Sequence, residues 1–179
     1  MKKESVVLFS CLMMIAVFAA PGASVAQNGP YYQGGAGVES ESWTLAIFVS
    51  GDNNLESYWD GASLPGLLNL PANDAFTIVA FVDRLSTEGT EIVEISGSEY
   101  SVAATYEEMN FGDGATFRWF LEEVDLNYHS DKLAVIAWDH GYAWRYISDD
   151  DSSDGDRITM PEFQAAIEEA GVYIDVLAF

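Results

Sequence analysis

The sequence predicts an α/β fold in which helices flank a mainly parallel sheet, as in an α/β/α sandwich. Short apolar runs alternate along the chain with segments that show helical spacing of apolar residues. Several of the runs end in aspartate, asparagine or glycine, which are typical residues at the ends of buried strands. Strands that alternate with helices favour parallel pairing through right-handed crossovers.

Five segments are predicted to form strands. The segments 43–50, 76–82 and 132–138 are almost continuously apolar, which indicates strands that are covered on both faces. The segment 90–95 is shorter and alternates between apolar and polar residues, so we expect it nearer to an edge. The segment 172–179 resumes a strand at the end of the chain.

Two helices are predicted from their capping residues and apolar stripes. Asp113 can accept hydrogen bonds from the free amides of a first helical turn. Thr159 and Glu162 have the spacing of a capping box, and Gly171 is a typical helix stop. The apolar stripes comprise Phe117, Phe120, Leu121 and Val124 in the first helix, and Phe163, Ala166, Ile167 and Ala170 in the second.

The amino terminus has the pattern of a secretory signal. Two lysines precede the apolar stretch 6–20, and small residues at 24 and 26 fit a cleavage site. We therefore expect residues 1–26 to be a signal peptide, residues 27–42 a flexible leader and residues 43–179 the folded domain, in a protein that is secreted, periplasmic or at the cell surface. An uncleaved membrane anchor is the alternative, although the stretch is shorter than the roughly 20 residues of a spanning helix.

Charge and cysteine content restrict the partners and the chemistry. The chain has 29 acidic and 7 basic residues, with a net charge of −22. Such a protein cannot neutralise nucleic-acid phosphates, so we expect no nucleic-acid partner and no membrane association after signal cleavage. Cys11, the single cysteine, lies inside the predicted signal, so a chain cleaved after Ala26 has no thiol. Its oligomeric state cannot be read from the sequence.

Polar residues follow three of the predicted strands. They are Gly51-Asp52-Asn53-Asn54, Asp83-Arg84 and Asp139-His140-Gly141. Ligands of parallel α/β sheets bind at the carboxyl ends of strands. His140 is therefore a candidate general acid or base, since the pKa of an imidazole is roughly 6.5. His129 lies in a polar connection, where a solvated residue is the simpler interpretation.

Four segments together resemble, in order, the clostripain-like cysteine peptidases. They are WTLAIFVSGDNNLE at 43–56, WDHG at 138–141, ITMPE at 158–162 and IDVLAF at 174–179. The resemblance covers about residues 43–179 and implies a caspase-like and gingipain-like fold. It also implies peptide or protein substrates that are cut after basic residues by a histidine and a cysteine.

The resemblance assigns the catalytic imidazole to His140 and an oxyanion-binding amide to Gly141. The family's cysteine lies in an Asp-Ala-Cys segment just past the next strand, whereas this sequence stops at Phe179. In caspases the histidine precedes the cysteine by roughly 50 residues. We therefore expect an amino-terminal portion of the peptidase domain, incomplete at the C-terminus, that is inactive by itself.

Asp139 neighbours His140, but successive strand side chains point to opposite faces. A buried or loop-bracing carboxylate is therefore the favoured interpretation of Asp139 over a third member of a triad. Asp52 or Asn53 is expected to bind local amides in a tight turn. Three aromatic residues, Trp138, Tyr142 and Trp144, are expected either in the core or at a substrate cleft, with the core favoured.

The acidic segment 149–156 has two interpretations. From Asp150, oxygen ligands fall at positions 1, 3 and 5 and glycine at position 6, as in a calcium loop, but position 12 is Pro161. A solvated loop is therefore favoured, while the calcium dependence of clostripain keeps calcium as an alternative cofactor. A different class of function also stays open, namely a non-catalytic exported α/β module that binds calcium or a protein partner through its acidic surface.

Overall fold

The computed structural model describes residues 41–179. The predicted signal peptide and most of the predicted leader lie outside the described residues. Residues Ser42–Phe179 form one compact unit. Its first residue is held in place, since the Ser42 amide and hydroxyl each donate to Asp131 at 2.8 Å.

One sheet has six strands, which are β1 (Trp43–Gly51), β2 (Phe76–Arg84), β3 (Thr87–Ser96), β4 (Glu99–Tyr106), β5 (Lys132–Trp138) and β8 (Val176–Ala178). Their order in the sheet is β4-β3-β2-β1-β5-β8. The four strands from β2 to β8 in this order pair in parallel, while β3 pairs antiparallel with both β2 and β4. A separate two-stranded sheet consists of β6 (Tyr146–Asp150) and β7 (Asp156–Thr159). The predicted α/β fold with a mainly parallel sheet is confirmed.

The β3-β4 hairpin differs from the sequence prediction. β3 is longer than the predicted segment 90–95, and β4 was not predicted at all. In β4 only Ala104 is partly buried, and the other residues are exposed. An edge strand of this kind is held mainly by backbone hydrogen bonds to its neighbour, so it needs no apolar pattern. β8 is shorter than the predicted 172–179, because the chain reaches the sheet edge only at Val176.

Two helices begin where their capping residues predict, namely α3 (Gly114–Asn127) and α4 (Met160–Ala170), and α4 also ends at the predicted Gly171. Before them in the chain lie α1 (Glu56–Tyr58), a π-helical turn (Trp59–Ser63) and α2 (Leu64–Leu68), none of which has a side-chain cap. Asp113 accepts a hydrogen bond from the Ala115 amide, and Thr159 and Glu162 form the capping box of α4. None of the helices in residues 41–179 is long and apolar enough to cross a membrane.

Both faces of the sheet are covered. On one face, aromatic residues of β1 and β2 pack against α3, with the rings of Phe48 and Phe117 5.1 Å apart and those of Phe81 and Phe120 4.9 Å apart. On the other face, the buried Trp59 of the π-helical turn contacts Trp138 at 5.6 Å. The two layers bury the central strands completely and leave only their ends open to polar chemistry.

Candidate active site

Three polar segments converge at one edge of the sheet. β1 lies between β2 and β5, and all three run in the same direction. Gly51 is therefore in register with Arg84, and Val49 is in register with Trp138. The residues that follow β1 and β5 and those that close β2 meet at this carboxyl edge.

His140 lies directly after β5 and is partly exposed. Its Nε2 lies 2.9 Å from Oδ1 of Asn54, which belongs to the turn after β1. An amide oxygen only accepts hydrogen bonds, so this contact requires a proton on Nε2. In the neutral imidazole, Nδ1 is then the nitrogen with the free lone pair.

The segment that carries His140 is tied to the sheet through Asp139. Its Oδ1 accepts a hydrogen bond from Nδ2 of Asn53 at 2.8 Å, and its Oδ2 accepts one from the Asp149 amide. Nδ2 of Asn53 also donates to the Asp149 carbonyl at 2.9 Å. Asp139 therefore braces the loops after β1 and β5 against β6, as its favoured interpretation predicted.

Burial raises the pKa of Asp139 to about 7, even though hydrogen bonds from the His140 amide, Asn53 and the Asp149 amide favour its charged form. The desolvation cost of the carboxylate exceeds the gain from those three donors. Asp139 consequently changes its charge near neutral pH, immediately beside the imidazole.

A buried cluster of three carboxylates lies on the β2 side of this edge. It consists of Asp52, Asp83 and Asp150, whose side-chain oxygens lie within 4.8 Å of one another. All three residues are buried, and the pKa of Asp83 is raised to about 9 by burial and by the nearby carboxylates of Glu108, Asp150 and Asp52. Burial also raises the pKa of Asp150. The raised pKa values mean that these carboxyl groups hold a proton more readily than a free aspartate, because protein donors offset their burial only in part.

The acidic segment 149–156 is solvated only in part. Asp149 and Asp150 are buried in β6, whereas Asp151, Asp154 and Asp156 are exposed. Oδ2 of Asp150 accepts from the Phe111 amide at 2.7 Å. The expectation of a wholly solvated loop is wrong for the first two residues, because β6 continues into the segment and carries them under the carboxyl edge.

The remaining predicted site residues fall in different places. Gly141 is exposed beside His140, and a Cβ there would meet nothing within 4 Å. Trp138 is buried in the core, as favoured. The same expectation is wrong for Trp144, which is 81% exposed, and for Tyr142, which is 40% exposed and whose ring lies 6.1 Å from that of His140, because both follow the end of β5 and lie outside the layers that cover the sheet.

His129 lies on the exposed surface, with Nδ1 3.3 Å from Asp125, as expected for a solvated residue. The local role expected of Asp52 or Asn53 belongs to Asn53, whose Oδ1 accepts from the Leu55 amide at 2.8 Å.

Sequence reasoning missed two features of the site. One is the contact between Asn54 and His140, and the other is the meeting of Asp52 and Asp83 with Asp150. The signal was present in part, because Asp52, Asn54 and Asp83 stand where parallel strands end. The position of β6 beneath them has no local signal, since it depends on how residues 141–150 turn back over the sheet.

Three solved structures of C11 proteases are similar to this chain. A secreted C11 cysteine protease from Bacteroides thetaiotaomicron, in complex with an irreversible peptide inhibitor, has a TM-score of 0.67 and 19% identity over 78% of this chain and 43% of that one. An inactive zymogen C11 protease from Parabacteroides distasonis has a TM-score of 0.61 and 17% identity, with 79% and 43% covered.

Another structure of a secreted C11 cysteine protease from Bacteroides thetaiotaomicron, described as iotapain, has a TM-score of 0.63 and 13% identity, with 76% of this chain and 45% of that one covered. At these identities the likeness establishes the fold, and it confirms the expected caspase-like arrangement. This chain spans less than half the length of each of the three.

No curated protein sequence matches this chain significantly. The family model of the clostripain family matches residues 47–179, which are about three quarters of the chain. The match includes the turn after β1, the His140 segment and the last strand. The chain therefore belongs to the clostripain family, the C11 cysteine peptidases.

Proposed function

We propose that this chain is the histidine-bearing part of an exported cysteine endopeptidase that cuts peptide bonds after basic residues. The observation that carries the proposal is the partly exposed His140 at the carboxyl edge of a clostripain-family sheet, with its Nε2 held by Asn54. The described residues contain no cysteine, so the thiol of the His-Cys dyad lies outside them. Export is supported by the pattern of residues 1–26.

The imidazole works on both halves of the reaction. The thiol proton passes to His140, and the thiolate attacks the scissile carbonyl carbon, forming a C–S bond and an oxyanion. His140 then gives this proton to the departing amine as the C–N bond breaks. In the second half His140 takes a proton from water, and the hydroxide attacks the acyl carbon of the thioester, so that a C–O bond forms, the C–S bond breaks and the acid product leaves. The proton then passes from the same nitrogen back to the sulfur and restores the thiol.

Asn54 and Gly141 have supporting roles in this proposal. With the Nε2 proton bonded to Asn54, the neutral ring presents Nδ1 as the base, and its orientation is fixed before substrate arrives. The Gly141 amide is a donor for the oxyanion, as the caspase resemblance implies. The exposed position of Gly141 allows a substrate carbonyl to approach its backbone.

Cleavage after basic residues rests on the family resemblance, and the charge of the molecule is consistent with it. A net charge of −22 attracts cationic peptides over distances up to a Debye length, about 10 Å at 0.1 M salt.

The proposal is tested on the protein extended by the codons that follow Phe179 in its gene. We expect those codons to encode a cysteine shortly after β8, and the extended protein to cleave an arginyl fluorogenic peptide. His140→Ala should abolish turnover, while His129→Ala, which removes the exposed histidine, should leave it unchanged.

Undiminished turnover in the His140→Ala variant would remove this residue from the mechanism. A stop codon directly after Phe179 would favour the alternative class, a non-catalytic exported module that binds calcium or a protein partner. The buried carboxylate cluster is the observation that keeps this alternative in view.

A further inference from the structure

We propose that Arg157 is a positioning residue that holds the backbone of His140 and Gly141 in place from outside the site. Arg157 lies in β7. Its guanidinium contacts three side chains of the segment that follows Gly141, namely Tyr142, Tyr146 and Asp149. The effect of Arg157 on turnover rests on the proposed peptidase function, whereas its effect on the backbone concerns the described residues alone.

The segment after Gly141 forms a short hairpin. Gly141 pairs with Ile147 in an antiparallel bridge, and the Tyr142 amide donates to the Tyr146 carbonyl at 3.2 Å. The turn is closed by the Arg145 amide, which donates to the Tyr142 carbonyl at 3.2 Å. The backbone at Gly141 therefore takes its position from this hairpin as well as from β5.

The hairpin needs support from the rest of the protein. Ala143 in its turn has a φ of 55°, a conformation that glycine adopts easily and that other residues rarely adopt. Trp144, the next residue, is almost fully exposed, so its side chain adds little packing to the turn. An isolated two-stranded hairpin is at best marginally stable in water. Contacts at the base of the hairpin must therefore keep it in this conformation.

Arg157 provides such contacts on both sides of the hairpin. Its guanidinium carbon lies 5.6 Å from the ring centre of Tyr142 and 4.8 Å from that of Tyr146, within the range of a cation–π interaction. The centres of the two tyrosine rings are 4.3 Å apart, and the Tyr142 ring faces the imidazole of His140 at 6.1 Å. One cation thus holds together two rings that belong to opposite sides of the hairpin.

The guanidinium is itself fixed by Asp149. Its Nε donates to Oδ1 at 2.7 Å and its Nη2 donates to Oδ2 at 3.1 Å, so the pair is bidentate. The backbone of Asp149 also donates to Asp139 and accepts from Nδ2 of Asn53. Arg157 is therefore connected to His140 from two directions, through the hairpin on one side and through Asp139 on the other.

Arginine has the shape for both contacts, and lysine does not. A guanidinium donates in its plane to a carboxylate while its face lies on aromatic rings, whereas an ammonium is a compact point charge. Arg157→Lys therefore keeps the charge and loses the geometry. Arg118→Lys is the matched control, because the Arg118 side chain is also 41% exposed, and its partners Glu122 and Glu169 lie on the exposed surface of α3 and α4.

The effect on the backbone is measured on the 179-residue chain by amide hydrogen exchange at single-residue resolution. In Arg157→Lys the Tyr142 and Arg145 amides, which are bonded within the hairpin, should exchange faster by at least about tenfold relative to the amides of β1. Arg118→Lys should leave this ratio unchanged. Wild-type exchange at Tyr142 and Arg145 would overturn the proposal, and so would an equal acceleration in β1, which would make Arg157 a residue of global stability.

The imidazole provides a spectroscopic measurement on the same chain. The chain has two histidines, so ¹³C-labelled histidine gives two ring signals in a proton–carbon NMR spectrum, and His129→Ala assigns them. Arg157→Lys should shift and broaden the His140 signal, because the ring loses its fixed position, and should leave the His129 signal in place. A His140 signal that is unchanged in Arg157→Lys would show that these contacts do not position the imidazole.

The effect on turnover is measured in the protein extended beyond Phe179. Arg157→Lys should lower kcat on the arginyl peptide at least about tenfold, because a misplacement of about 1 Å can cost roughly 10²-fold. KM should stay within about twofold, since Arg157 does not contact substrate in this proposal. An unchanged kcat, or a raised KM alone, would overturn the positioning role.

The two proposals fail in different ways. If the extended wild-type protein does not cleave the peptide, the proposed function fails, and the exchange and NMR measurements still decide whether Arg157 holds the backbone of His140. If the wild type cleaves and Arg157→Lys cleaves equally well, the proposed function stands and the role of Arg157 is refuted.

Discussion

The two ends of the central sheet use aspartate in opposite ways. At the amino end, Asp131 accepts hydrogen bonds from the amide and hydroxyl of Ser42, and Asp175 accepts from the Leu133 amide and from Nζ of Lys132, both at 3.0 Å. These donors hold the pKa of Asp131 and of Asp175 below the usual range, because they favour the charged form.

At the carboxyl end the balance is reversed. Burial raises the pKa of Asp83 to about 9 and that of Asp139 to about 7, because the donors present do not repay the loss of water. The comparison shows that aspartate stabilises strand ends as a charged group where donors meet it, and that it holds its proton up to neutral pH or above where they do not. The first arrangement stabilises the fold, and the second is typical of sites that bind or react.

The largest expected effect is a loss of stability at the carboxyl end of the sheet in the variant Gly51→Ala. A Cβ on Gly51 would lie 2.7 Å from the backbone oxygen of Asp83, so β1 and β2 would have to separate. We expect a loss of about 2 kcal/mol or more in the free energy of unfolding, measured by urea denaturation. Gly61→Ala is the control, because a Cβ there meets nothing within 4 Å. Equal stability of the two variants would show that this end is not closely packed.

Asp139→Asn is expected to change how stability depends on pH. The folded pKa of about 7 lies above the unfolded value of about 3.9. Between these values the folded state holds a proton that the unfolded chain has released, so stability falls as pH rises from about 4 to 7. Asparagine does not titrate, and the variant should therefore gain stability relative to the wild type over this window.

The measurement is the urea midpoint at pH 4, 5.5 and 7 in buffers freed of metal with a chelating resin, so that no metal contributes. The substitution Asp139→Asn removes an acceptor oxygen at every pH, so it shifts all three urea midpoints of the variant by a similar amount. The difference between wild type and variant in how the midpoint changes with pH is therefore preserved. A variant whose midpoint runs parallel to that of the wild type across this window would contradict the raised pKa of Asp139.

The smallest expected effect is at the amino end, with Asp175→Asn. The lowered pKa of Asp175 means that its stabilising contribution is present above the unfolded pKa of about 3.9 and is lost as pH falls through the folded value. The variant should be less stable than the wild type at pH 6 and should approach it as pH falls toward 3. Thermal unfolding at both pH values measures this, with the exposed Asp74→Asn as control. A difference in Tm between the wild type and Asp175→Asn that grows as the pH falls would contradict the lowered pKa of Asp175.

Elements with local signals were predicted closely. The capping box at Thr159 and Glu162 marked the start of α4, and Gly171, which has a φ of 65°, marked its end. Apolar runs located β1, β2 and β5 to within about two residues. β4 escaped prediction, because its stability comes from pairing with β3 and not from burial of its own side chains.

The candidate site was predicted less completely than the fold. His140 and Gly141 followed from the strand end and the family resemblance, and their catalytic roles stay predictions. Asn54 as the partner of His140 could not be predicted, since the two residues are 86 positions apart in sequence and meet only through strand order. The burial of Asp149 and Asp150 could not be predicted from the sequence either, because a run of aspartates is typical of a solvated turn.

By itself, the sequence determined the alternation of strands and helices, the caps of α3 and α4, the excess of acidic charge and membership of the clostripain pattern. These properties depend on residue type and short-range spacing, which are local in the chain. Only the tertiary structure decided which aspartates keep water and which lose it. That outcome depends on strand order and on the path of β6 beneath the carboxyl edge, so the environment of Asp52, Asp83 and Asp150 was set by packing between distant segments.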